Sequence, residues 1–103
     1  MTINKNNLIS AINTAIEESP FRKEIRRISL FGSYIKGKAK EDSDIDLLIE
    51  FRPSAKIGFF RLIEIKDKLE STLSRQVDLV TPKSISKYFR DEVMNQSKTI
   101  YGK

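Results

Sequence analysis

The stretch from Ile28 to Phe51 restricts this chain more than any other. A short apolar run closes at Gly32-Ser33, ten residues intervene, and Asp44-Ile45-Asp46 opens a second apolar run from Leu47 to Phe51. Both runs are rich in Ile, Leu and Phe, and both are too short, between polar, glycine-containing flanks, to be helices. They read as strands. Residues i and i+2 on a strand share a face, so Asp44 and Asp46 aim at one spot. Two carboxylates a few ångströms apart repel unless a cation lies between them, and a hard divalent ion such as Mg²⁺, which takes oxygen ligands, meets that need. Upstream, Gly32 lets backbone N–H groups approach an anion closely, and Ser33 adds a hydroxyl donor. An anion cradle facing a carboxylate pair suits a Mg²⁺-bound nucleoside triphosphate, whose phosphates bridge the two halves. An arbitrary Asp-x-Asp is more often a solvated strand edge with Ser43-Asp44 as turn residues. The glycine-serine seat opposite lifts this pair above that reading.

A second phosphate motif competes for the same residues. Gly32 to Ala39 nearly matches G-x-x-x-x-G-K-[ST] but fails at Ala39, where a hydroxyl is needed for Mg²⁺, and Lys40 to Asp46 reads as a turn instead of the long helix such a loop requires. Composition narrows the chemistry further. The chain has no cysteine and no histidine, which removes disulfides, thiolate sites, a cysteine nucleophile and the usual general base. Acid–base and metal chemistry fall to carboxylates, lysines and hydroxyls.

The rest of the chain supports this centre. Asn4 to Glu18 carries Leu8, Ile9, Ile12, Ala15 and Ile16 at helical spacing, with Asn4 as N-cap and Pro20 past the end. Strand one spans Ile25 to Phe31, and Arg26-Arg27 marks its solvated entry. Ser33 to about Lys38 reads as a helical turn whose N–H groups would face phosphates, followed by a polar loop to Ser43. Strand two spans Ile45 to Phe51 and stops before Pro53. A helix from about Gly58 to Leu73 places Leu62, Ile65, Leu69 and Leu73 in the core, flanked by Phe59 and Ile63. Strand three is Gln76 to Val80. In it Asp78 faces opposite to Val77 and Leu79; alone it reads as an exposed residue, and with the Asp pair it becomes a third ligand. Ser84 to Gln96 is a second amphipathic helix with Ile85, Tyr88, Phe89 and Val93 on overlapping faces, and Thr99 to Tyr101 adds a short edge strand. This order gives an α/β (α+β) layer, a small mixed sheet flanked by helices, as one domain over residues 1–103. The Gly32–Asp44 connection is too short for a right-handed crossover, so strands one and two pair antiparallel, with Gly32-Ser33 beside Asp44.

Gly-Ser, ten residues, then Asp-x-Asp, with Leu-Phe-Gly-Ser before it and Gln-Val-Asp-Leu-Val-Thr after it, resembles the signature of the polymerase beta-type nucleotidyltransferase superfamily, and in particular its small prokaryotic minimal nucleotidyltransferases (MNT). The similarity covers about residues 20 to 101, and Asp78 falls where the family has its third carboxylate. The position after Gly-Ser, often arginine in the family, is Tyr34 here, followed by Lys36, Lys38 and Lys40. The resemblance implies a polymerase beta-like fold in which Asp44, Asp46 and Asp78 bind one or two Mg²⁺ ions. Gly32, Ser33 and Lys36, with Asp44, would hold ATP, and AMP would pass to an acceptor hydroxyl. It also implies a HEPN-domain toxin as partner in a hetero-oligomer. The chain would then be its antitoxin and would adenylylate the toxin on a tyrosine.

Two other classes fit the same residues. One is a module that neutralises its partner by docking without chemistry. The other is a nucleotidyltransferase acting on RNA or a small hydroxylated molecule. Little sequence is left over for an acceptor-binding domain, which favours an acceptor that brings its own surface. The net charge of +5 is spread in ones and twos among acids, with no basic–aromatic platform, which argues against direct nucleic-acid binding. No apolar run reaches the ~20 residues of a membrane span, and the polar Thr2 to Asn7 lacks a signal-peptide core, so a cytoplasmic protein is expected.

Overall fold

The computed structural model describes residues 5–32 and 44–102. Helix α1 (Lys5–Glu17) leads to strand β1 (Ile25–Phe31), then β2 (Ile45–Phe51), helix α2 (Phe59–Leu73), β3 (Val77–Val80), a 3₁₀ turn (Pro82–Ser84), helix α3 (Lys87–Gln96) and β4 (Lys98–Gly102). The strands form one sheet in the order β3-β2-β1-β4. β1 pairs antiparallel with β2 and with β4, whereas β2 and β3 run parallel, with α2 as the crossover between them.

Alternation along the strands separates two faces. One carries Ile28 and Leu30 of β1, Ile45, Leu47 and Ile49 of β2, and Val77 and Leu79 of β3, all buried. Leu8, Ile12, Ala15 and Ile16 of α1 and Ile65, Leu69 and Leu73 of α2 close over them as a single core. These are the i, i+3, i+4 positions of each helix, so the apolar stripe read in the sequence is the one that packs. Asn13 Nδ2 donates to Ile100 O at 3.0 Å and ties α1 to β4. The other face carries Arg27 and Ser29 of β1, Asp46, Leu48 and Glu50 of β2, and Asp78 and Val80 of β3. Leu48 and its register partner Ser29 are buried on it.

Several expectations change. Arg27 is not a solvated entry residue: its Nε and Nη2 donate to Glu50 Oε2 and Oε1 at 2.6 and 2.9 Å, across the β1–β2 pair. The last helix starts later than Ser84, because the Thr81–Ser84 capping box closes a separate 3₁₀ turn and Ser86 caps α3. None of the residues of α3 is buried, and Tyr88 is 91% exposed; Phe59 at the start of α2 is likewise 72% exposed instead of in the core. The expected edge strand is longer than Thr99 to Tyr101, because its backbone ladder with β1 sets its limits. The Asn4 cap, the helical turn from Ser33 and the loop to Ser43 lie outside the described residues.

Candidate active site

Gly32 follows the last residue of β1, and antiparallel pairing sets Phe31 opposite Asp46. The glycine is required there for two reasons. Its φ of +74° is left-handed, and a Cβ built on it would lie 2.9 Å from Asp46 Cγ and closer still to Oδ2. The Asp46 carboxyl therefore rests against the backbone at the end of β1. Asp44 stands two residues earlier, just before β2 begins. On the other side, the parallel register pairs Asp46 with Asp78, so their side chains emerge side by side on neighbouring strands about 4.8 Å apart. Antiparallel pairing on one flank and parallel pairing on the other bring Gly32, Asp44, Asp46 and Asp78 to one end of the sheet.

The electrostatics follow from that placement. Partial burial pushes the Asp46 carboxyl up to about 6, and the negative charges of Asp78 and then Asp44 push in the same direction. Asp44 and Asp78 are exposed. They line a cleft with Lys66 and Glu70 of α2 and Arg75 and Gln76 from the turn into β3. Glu70 Oε2 accepts the Val77 N–H at 2.9 Å, and Lys66 Nζ lies 3.3 Å from its other oxygen. The Val77 N–H, ahead of the Lys66 ion pair, holds the Glu70 carboxyl below its usual range. Glu70 thus fastens the first residue of β3, next to Asp78, to α2.

The donor set consists of carboxylate oxygens, which suits a hard divalent cation. Burial of the Asp46 carboxylate and its repulsion by Asp78 and Asp44 are what such a cation would offset. Among the described residues, no group of three or more Asp, Glu, His or Cys side chains stands close enough to enclose an ion. The carboxylates share a corner without closing into a cage. Ser33 and Lys36, the remaining expected phosphate contacts, lie outside the described residues. Lys66, Glu70 and Arg75 were not singled out from the sequence. The i,i+4 Lys66–Glu70 spacing was visible there, but only the fold shows that it ends beside Asp78.

A mixed sheet covered on one face by two helices, with acid side chains gathered at one strand end beside a glycine turn, is the architecture of nucleotide-transferring α/β domains. The chain belongs to the polymerase beta nucleotidyltransferase family, whose description, "Polymerase beta, Nucleotidyltransferase", matches residues 12–103. It is 38% identical over 72 residues to the protein adenylyltransferase MntA of Thermococcus cleftensis, covering 70% of this chain and 71% of that one. It is similar to a solved toxin–antitoxin structure with AMP-PNP, at 30% identity and a TM-score of 0.70 over 98% of this chain and 75% of that one. The MNT antitoxin in complex with a tri-AMPylated Shewanella oneidensis HEPN toxin is similar at 26% identity and a TM-score of 0.70, over 97% and 74% of the two chains. The fold and the family expected from the motif spacing are those observed. Among the described residues no helix is long and apolar enough to cross a membrane.

Proposed function

We propose that this chain is a Mg²⁺-dependent nucleotidyltransferase that moves AMP from ATP to a tyrosine hydroxyl of a HEPN-type toxin, and so acts as that toxin's antitoxin in the cytoplasm. The observation that carries the reading is the placement of Asp44, Asp46 and Asp78 at the same end of the sheet as Gly32, in a chain of this family. The names of its relatives, a protein adenylyltransferase and an antitoxin seen with an AMPylated toxin, point to AMP as the group moved and to a protein as the acceptor.

Asp44 and Asp46, with Asp78, would hold one or two Mg²⁺ ions. When bound, the ions would neutralise triphosphate charge and polarise the α-phosphorus. The backbone at Gly32, with Ser33 and Lys36, would orient the phosphates. Asp78, exposed at the edge of the sheet, would take the proton from the acceptor hydroxyl. The acceptor oxygen then bonds to the α-phosphorus, the bond to the β-phosphate oxygen breaks in line with it, and pyrophosphate leaves.

The test is incubation of the chain with Mg²⁺ and ATP labelled at the α-phosphorus, together with a HEPN-type toxin. Label on the toxin, with none from γ-labelled ATP, is the expected result. Label on RNA instead would assign the chain to RNA-directed transfer, and tight association without label would make it a docking module.

A further inference from the structure

The far end of the sheet carries a second concave surface. Strands of seven residues separate it from the carboxylates by about 20 Å. The turns into β1 and out of β2 meet there the start of α2, and Lys23, Arg52, Lys56 and Arg61 surround a floor formed by Phe21 and Ile57. The cleft is built, not incidental. Arg52 Nε donates to Lys23 O at 2.7 Å, the Arg52 N–H donates to Glu24 O at 2.8 Å, and the Arg61 guanidinium lies 5.4 Å above the centre of the Phe21 ring. Beside it stand Phe59 and Phe60, 72% and 80% exposed, with their rings edge to face at 6.2 Å. Two adjacent phenylalanines left in water, between Ile57 and Arg61 of the cleft in the chain, are the pattern of an interface anchor.

We propose that this cleft docks an acidic segment of a protein partner that also carries apolar side chains. Lys23, Arg52 and Lys56 outnumber Glu24 in the lining and ask for carboxylates, Arg61 being already paired with Glu64 at 3.1 Å, and the phenylalanine pair asks for apolar cover. The phenylalanine rings select between two anionic classes of partner. The edge-to-face rings form a wedge and not the parallel platform that would stack bases. The proposal rests on the reading that the acceptor is a protein. Docking at this end would leave the carboxylate end free for nucleotide.

The experiment is fluorescence anisotropy of the whole chain with a labelled peptide of about fifteen residues alternating Glu with Leu, against oligouridine of similar length. The wild-type chain is expected to bind the peptide in preference to oligouridine. The exposed pair Lys23→Glu with Lys56→Glu should weaken peptide binding about tenfold or more, and Phe59→Ala with Phe60→Ala by a similar factor. Asp46→Asn should keep full peptide affinity while losing AMP transfer, so failure at one end of the sheet does not count against the other. Absence of peptide binding, equal affinity in all variants, or preference for oligouridine would overturn the proposal.

Discussion

Replacing Asp46 with asparagine should stabilise the metal-free protein while abolishing transfer, and the size of the gain follows from the site. A carboxyl moved from its ordinary 3.8 to about 6 carries a cost of about 3 kcal/mol when ionised, at about 1.4 kcal/mol per tenfold change in proton affinity. Because Asp46 is only half-buried, solvent screening reduces this to about 1 kcal/mol. The unfolded chain releases this proton near pH 3.8 and the folded chain near pH 6. Between those values the folded state holds more protons, so stability falls as pH rises through that window and stays low above it. Asparagine keeps the shape of the side chain and removes the charge.

At pH 7.5 Asp46→Asn should therefore unfold about 4–8 °C higher than the wild type, as about 1 kcal/mol does for a domain of this size. Near pH 4 the two should melt together. Millimolar Mg²⁺ should raise the wild-type transition and leave the variant unmoved. Thermal unfolding with and without Mg²⁺ at the two pH values measures all of this. A variant no more stable than wild type at pH 7.5, or equally stabilised at pH 4, would refute the claim that holding the Asp46 carboxylate half-buried, beside Asp78 and Asp44, costs the folded site stability.

Other residues carry their own tests. Gly32→Ala should cost about 1–3 kcal/mol in chemical denaturation, through its left-handed φ and the collision with Asp46, and should lower transfer further than stability alone explains. Glu70→Ala removes the acceptor of the Val77 N–H and should cost about 1–2 kcal/mol; Glu70→Gln, whose amide oxygen can still accept, should recover part of it. Because the Glu70 carboxyl is held low, its contribution is present above its ordinary 4.5 and is lost as pH falls below it, so the wild type and Glu70→Ala should converge in acid melts. Leu69→Ala, at a fully buried position in the core, should cost about 2–5 kcal/mol by urea titration.

The sequence made the centre of the fold legible because two signals there are strong and local. Gly32 needs a conformation and a clearance that only glycine meets, and Asp44-x-Asp46 needs a strand to share a face. The helical stripes of α1 and α2 were readable because burial follows the 3.6-residue period. Asp78 was ambiguous alone, since an aspartate on an exposed strand face looks the same; the parallel register with Asp46 gives it meaning, and register is a long-range property. For the same reason the Arg27–Glu50 bond was missed: the two residues are 23 positions apart and meet only across the hairpin. Phe59, Tyr88 and Phe89 misled because aromatic residues at helical spacing look like core. What leaves them exposed is the absence, among the described residues, of a surface beneath them, which no local pattern reveals.

The most direct test of the central claim is a crystal structure of the chain with Mn²⁺ in place of Mg²⁺ and a non-hydrolysable ATP analogue, recorded at the manganese absorption edge. An anomalous peak touching carboxylate oxygens of both Asp44 and Asp46, with the triphosphate against Gly32, is the predicted result. Manganese bound elsewhere, or nucleotide seated away from β1 and β2, would contradict it.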